Sequence, residues 1–248
     1  MPETDGVVPR MALHRHQETL ARCEAFRELD TAEIDRLNTQ CIWRRFDAGA
    51  EILSHQDDTA EVYFVAAGAV RVYISSIQGR NTVFRDIDAG GYFGEMAAID
   101  GAGRSASVIA RTNATVAKMP APVFRDLAMR HASVCFHLLE HAVRQIRYLS
   151  ERINELRTLD VRHRVYVELL RLARPASAGA NEAVISPPPI HQEIADRINT
   201  RREAVARELK QLERDGLLSR RRGALVVTDA ARLAKLVEDA RQGLDEDG

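Results

Sequence analysis

The chain has 248 residues, with 35 Lys and Arg against 36 Asp and Glu, a formal charge of −1 and few aromatic residues. This is the make-up of an ordinary soluble protein of one large or two modest domains, and it excludes a bulk charge that would by itself demand a nucleic-acid partner. No apolar run approaches the roughly 20 residues of a membrane span, and the N-terminus lacks the apolar core of a signal peptide, so no membrane partner and a cytoplasmic location are expected.

Residues 1–20, with Pro2, Gly6, Pro9, His14 and His16, show no sustained period and read as a mobile extension. Between Ala21 and Leu37, Phe26, Leu29, Ile34 and Leu37 recur at near-helical spacing, with Asp30 or Thr31 placed to cap a short helix, expected as a lid on the strands beyond it. Cys23, Cys41 and Cys135 are odd in number and far apart, so they read as buried thiols, with neither a disulfide framework nor a metal motif.

From Trp43 to Met119 the pattern changes to short apolar or alternating runs, such as Glu61–Val65 and Val70–Ile74, broken by turns at Asp47-Ala48-Gly49, Ala67-Gly68, Gln78-Gly79 and Ala89-Gly90-Gly91. Residues 21–122 are therefore expected to form a β sandwich or roll. Within them, the stretch from Phe93 to Val108 reads as a phosphate cassette. Gly94 allows close backbone approach, and Glu95, Met96 and Ala97 can start a short helix whose free N–H groups attract an anion. Arg104 supplies a planar donor fork, Ser105 a hydroxyl, and Ala106 is too small to crowd a ligand. A carboxylate is repelled by a phosphate, which leaves Glu95 to accept hydrogen bonds from a sugar hydroxyl. Together these residues suit a cyclic nucleotide. The plainer alternative is a glycine-containing surface turn with an exposed Arg–Glu pair.

Residues 123–158 contain no proline or glycine and read as one long helix. Leu138, Ala142, Leu149, Ile153 and Leu156, with Gln145 or Ile146 between, fit the steps of a coiled-coil seam, so a homodimer is expected; a helix packed only on its own domain is the alternative. His137 and His141 stand four apart, but no third ligand accompanies them, and with His131 they are expected to decorate the outside of this helix with no metal bound.

Residues 159–235 open with an amphipathic helix through Val165, Leu169 and Leu172, and the run Pro175–Ala180 reads as a flexible loop. Ile190–Ile198 gives a short helix, Asn199-Thr200 a turn with a capping hydroxyl, and Arg201–Arg214 a second helix: a helix-turn-helix. Ile194, Ala195, Ile198, Val205, Leu209 and Leu212 form its inner face. Arg202, Glu203 and Arg207 then share an outer face suited to a major groove, Arg matching guanine O6 and N7 and Glu accepting from cytosine N4. Arg201 and Lys210 suit phosphate contacts that position without reading sequence. Arg197–Arg222 holds nine basic against four acidic residues, and Arg220-Arg221-Arg222-Gly223 lies in a hairpin expected to form a basic wing. Residues 236–248 read as an acidic tail, the stretch after Thr228 holding six acidic and three basic residues.

Phe93-Gly94-Glu95-Met96-Ala97 followed by Arg104-Ser105-Ala106, and Arg202-Glu203 followed by Arg207, resemble the cyclic AMP receptor protein and fumarate–nitrate regulator superfamily. The resemblance implies an α+β chain: an N-terminal cyclic-nucleotide-binding β-roll of jelly-roll type, a long dimerisation helix and a C-terminal winged helix-turn-helix. It implies a non-enzymatic regulator that binds double-stranded DNA at a TGTGA-like half-site, with cyclic AMP or cyclic GMP as effector and RNA polymerase as partner. It also places Leu149 and Ser150 at the nucleotide base. Here the chain departs from the pattern: Leu149 stands in place of a hydroxyl and Gln145 in place of an arginine, so a cyclic phosphate is better supported than adenine. Three alternatives stay open: a regulator of this kind with another effector or none, a nucleotide-binding regulatory subunit, and a nucleotide-processing enzyme built on Glu95 and Arg104. No metal–carboxylate cluster or nucleophile–base pair accompanies the last.

Overall fold

A computed structural model describes residues 19–75 and 81–243. Described residues up to Ser75, with Phe84–Val143, form one compact unit, and the described residues from Arg144 onward, with 81–83, form the second.

The first unit opens with two short 3-10 turns, at Leu20–Arg22 and Glu24–Phe26, and then α1 (Thr31–Gln40), whose first turn is capped by Asp30 accepting from the Glu33 amide at 2.8 Å. Leu20, read from the sequence as part of a mobile extension, is instead fully buried; residues 1–18 of that expectation lie outside the described residues. Eight strands follow: β1 (Ile42–Phe46), β2 (Glu51–Leu53), β3 (Val62–Ala67), β4 (Ala69–Ser75), β5 (Asn81–Asp88), β6 (Tyr92–Phe93), β7 (Ser107–Ala110) and β8 (Ala114–Met119). The short helix α2 (Glu95–Asp100) lies between β6 and β7. The strands make two sheets, ordered β1-β8-β3-β6 and β2-β7-β4-β5.

β3 shows why these sheets stack as they do. Successive side chains of a strand point to opposite faces. Tyr63 and Val65 join Val70, Phe93, Val108 and Val116 in the core of the roll, while Val62 and Phe64 join Leu37, Met119, Phe124 and Leu127 in a second core under the helices. A strand buried on both faces reads as a continuous apolar run, which is what Val62–Ala67 is. Between β3 and β4 the chain turns at Gly68, φ +78°, where an added Cβ would lie 2.2 Å from the Asn113 carbonyl oxygen.

After β8 the expected single helix is two: α3 (Ala121–Arg130) and α4 (Ala132–Thr158). His131 between them is extended at φ −116°, ψ 101°; its amide closes α3 on the Leu127 carbonyl, and its Nε2 lies 3.2 Å from Glu33 of α1.

In the second unit, α5 (Val161–Leu172), α6 (His191–Arg197), α7 (Arg202–Arg214) and α8 (Ala230–Arg241) surround a four-stranded sheet ordered β11-β12-β10-β9. Its strands are β9 (Arg174–Pro175), β10 (Ala183–Ile185), β11 (Leu218–Arg221) and β12 (Ala224–Val227). Ile194, Ala195, Ile198, Val205, Leu209 and Leu212 are all buried, as the helical spacing requires. Residues 236–248 are not an acidic tail throughout. α8 runs to Arg241, capped by Asp229 and anchored by buried Leu233 and Val237, while 244–248 lie outside the described residues. The expected capping hydroxyl at Thr200 is also replaced: the N-cap of α7 is Arg201, without a side-chain cap bond, and the turn is made by Asn199 at φ +51°.

Candidate nucleotide cassette and DNA-facing helix

Arg104 organises the cassette, from inside the protein. It is only 3% exposed. Its Nε donates to Thr59 Oγ1, Nη1 to the Gly94 carbonyl and Nη2 to the Glu61 carbonyl, each at 2.9 Å. The Glu61 carboxylate lies 3.5 Å from Nη2 and is itself 2.7 Å from Lys118. Burial pushes the Glu61 carboxyl up, but the hydrogen bond from Lys118 and the nearby Arg104 bring it below its ordinary range. The Arg104 backbone is held as well, its amide donating to Asp57 and its carbonyl accepting from Gln56.

Gly94, at φ +81°, is the N-cap of α2, and a Cβ there would stand 2.7 Å from Arg104 Nη1. Ala97 is buried and Ala106 half-buried, whereas Met96 and Ser105 are exposed, the Ser105 hydroxyl 3.6 Å from the Met96 sulfur. The structure thus brings Gly94, Met96, Arg104 and Ser105 together.

Glu95 opens α2 with its carboxylate 3.7 Å from Arg85 Nη2; burial raises its pKa and Arg85 opposes the rise. Arg85 in turn donates from Nη1 to His141 Nε2 at 2.6 Å, which requires that nitrogen to be unprotonated. His137 and His141 pack against the Tyr92 ring rather than decorating the outside of the helix, and His131 faces Glu33. Among the described residues no group of three or more His, Cys, Asp or Glu could hold a metal ion. Sequence reasoning missed Thr59, Glu61, Arg85 and Lys118. Arg85 carried a signal: it shares a strand face with buried Val83 and Ile87, an unusual place for a charge without a task.

Along α4 the exposed apolar seam is Leu139, Ala142, Ile146, Leu149, Ile153 and Leu156, in alternating steps of three and four. Leu138, expected in the seam, packs against the helix-side core instead, and Ile146 rather than Gln145 continues the stripe. Leu149 and Ser150 belong to the second unit, both exposed, with the Ser150 hydroxyl donating to the Ile146 carbonyl.

On α7, Arg202, Glu203, Arg207 and Lys210 are exposed, with Arg201 at the N-cap, while Val205, Leu209 and Leu212 hold the opposite face in the core. The Arg207 side chain is 74% exposed, its Nε 3.7 Å from Glu208. The wing is less uniformly basic than its sequence. Arg220 is paired with Glu213 and Arg221 with Glu182, each at 2.7 Å, which leaves Arg222 exposed beside the Gly223 turn.

The model of the cyclic nucleotide-binding domain matches residues 43–131, and that of the Crp-like helix-turn-helix domain matches residues 163–236. The cAMP-activated global transcriptional regulator CRP of Salmonella typhimurium is 31% identical over 177 residues, 71% of this chain and 84% of its own. This chain belongs to the CRP/FNR family of transcription regulators. The cAMP-activated regulator Vfr of Pseudomonas aeruginosa is 28% identical over 198 residues, 78% of this chain and 92% of its own. The same fold is seen in FixK2 from Bradyrhizobium japonicum, with a TM-score of 0.67 at 23% identity over 79% of this chain and 96% of that one. The regulator CLP of Xanthomonas campestris gives 0.67 at 22% identity over 80% and 99%. The CRP/FNR chain is therefore a DNA-binding regulator with a cyclic-nucleotide-binding domain, and no helix among its described residues is long and apolar enough to cross a membrane.

Proposed function

We propose that the protein is a homodimeric, cytoplasmic transcription regulator that binds a TGTGA-like palindrome when cyclic AMP or cyclic GMP occupies the cassette. The observation that carries this reading is the pairing, in one chain, of a cassette built around Arg104 with an exposed Arg202–Glu203–Arg207 face on a helix-turn-helix. Arg104 keeps the loop from Gly94 to Ala106 in shape and supplies positive charge beneath it. The exposed Ser105 hydroxyl offers a direct bond to a cyclic phosphate, and Glu95, held by Arg85, an acceptor for a ribose hydroxyl. Leu149 and Ser150 are the positions for the base, and with Leu149 apolar only Ser150 offers a hydrogen bond, so both purines remain candidates. Arg202 and Arg207 read guanine, Glu203 reads cytosine, and Arg201 and Lys210 hold phosphates. The nucleotide favours one arrangement of the dimer, in which the two α7 helices stand about 34 Å apart and enter successive major grooves. RNA polymerase is the partner of the DNA-bound form, and the protein performs no chemistry on its effector.

Calorimetric titration of the parent and of Ser105→Ala with each nucleotide tests the cassette. Binding that weakens about tenfold when the exposed hydroxyl is removed supports the assignment, that being the worth of one good hydrogen bond to a charged group. No heat with either nucleotide in the parent overturns it.

A further inference from the structure

The second unit buries two carboxylates where α4 ends: Glu155, and Glu168 of α5 at 1% exposure. Arg152, one turn before Glu155, donates from Nη1 to Glu168 at 3.1 Å and to Glu155 at 3.3 Å. Arg171 donates to both at 2.8 Å, and Arg197 of α6 lies 3.8 Å from Glu168. Buried carboxylates are tolerated only when paired, and apolar side chains of similar volume would fill the space at least as well. What the charged network adds is a defined relation among its helices.

That relation reaches the DNA-reading half through backbone. The second Nη of Arg152 donates to the carbonyl of Arg197, the last residue of α6, and Arg164 of α5 donates to the carbonyl of Ile198 at 2.9 Å. The last carbonyls of a helix have no intrahelical partner and sit at the negative end of its dipole. Two guanidinium groups therefore cap the end of α6 at the two residues before Asn199, whose left-handed backbone redirects the chain into α7.

We infer that Arg152 and Arg164 are positioning residues for DNA recognition. They hang the turn of the helix-turn-helix on α4 and α5, so that a displacement of the end of α4 is delivered to α7 rather than absorbed between them. The DNA arm of the test rests on the proposed TGTGA-like operator; the exchange arm does not.

The test compares full-length parent, Arg152→Met, Arg152→Lys and Arg164→Met by amide hydrogen exchange and by binding to two duplexes, a TGTGA-containing palindrome and a random sequence of equal length. The Ile198 and Thr200 amides, which donate to Ile194 and Ala195, are the reporters. In Arg152→Met they exchange about tenfold faster while amides of β12 and α8 keep their rates, and palindrome affinity falls about tenfold with random-duplex affinity unchanged. Arg152→Lys, which keeps the charge but loses the fork, lies between. Unchanged exchange at the turn, or a rise spread equally over α5, α8 and the sheet, overturns the inference, the latter making the network a general stabiliser. A parent that does not distinguish the two duplexes removes the operator reading, and the exchange pattern then decides the inference alone. Should Arg152→Met not fold, Arg152→Lys and Arg164→Met carry the same comparison.

Discussion

Arg104 Nη1 donates to the carbonyl of Gly94 at 2.9 Å, so two residues ten positions apart in the chain are one structural unit, and neither can change without the other. The sequence suggests an arginine reaching out for a ligand; the structure makes it the peg on which the loop hangs. Arg104→Ala is accordingly a folding variant as well as a binding variant. It leaves the Gly94 and Glu61 carbonyls without their buried donor and the Glu61 carboxylate with Lys118 alone, at a cost of about 2–4 kcal/mol. Thermal unfolding of the variant is expected several degrees below the parent; an unchanged melting temperature would show that Arg104 carries no structural load.

Ile146 lies on the apolar seam of α4 and is 64% exposed in the single chain. Ile146→Glu removes apolar burial from both partners of a dimer and sets two like charges against each other. At about 2 kcal/mol per side chain, the dissociation constant rises roughly a thousandfold. Sedimentation at micromolar concentration is expected to show a dimer for the parent and a monomer for the variant. A variant that stays dimeric would move the interface elsewhere.

How much of the fold and the site is legible in the sequence depends on whether the deciding contact is local. The cassette and the outer face of α7 can be read because glycine, arginine and apolar spacing are local signals. The break at His131 cannot: no proline or glycine marks it, and the contact beside it comes from Glu33, nearly a hundred residues away. Leu138 and Leu139 are chemically the same, so only the packed fold decides which one faces outward. α8 is readable in principle, since Asp229 caps it and Leu233, Leu236, Val237 and Ala240 follow at helical spacing, but its acidic residues mask that period. The buried Arg–Glu network has no local signature at all.

The three cysteines differ in a way that their spacing does not reveal. Burial pushes the thiols of Cys23 and Cys41 each up to about 12, whereas Cys135 is exposed. The thiolate is the reactive form. Titration of native protein with a thiol reagent near pH 8 is expected to show one fast equivalent, mapping to Cys135, and two that react only on unfolding. Fast modification of Cys23 would contradict the packing around α1.

Glu33 ties α1 to the junction of α3 and α4, with Arg36 at 2.6 Å, Arg130 at 3.3 Å and His131 at 3.2 Å. The hydrogen bond from Arg36 is the main reason its carboxyl is held at about 2 rather than 4.5. A folded-state pKa below the unfolded one stabilises the protein above the unfolded value, and the contribution is lost as pH falls toward the folded value. The melting temperature of the parent should therefore exceed that of Glu33→Gln by a constant margin above pH 4.5, and the margin should shrink as pH falls from 4.5 toward 2. A margin independent of pH across that window would assign the effect of Glu33 to packing.

A cyclic nucleotide in the first unit is expected to change DNA affinity in the second. Fluorescence anisotropy of a labelled TGTGA-containing palindrome, titrated with the protein at fixed salt with no nucleotide, saturating cyclic AMP or saturating cyclic GMP, measures that coupling directly. One nucleotide is predicted to tighten binding about tenfold or more, equivalent to a coupling of at least ~1.4 kcal/mol. Identical affinity in all three titrations would mean that neither nucleotide switches DNA binding.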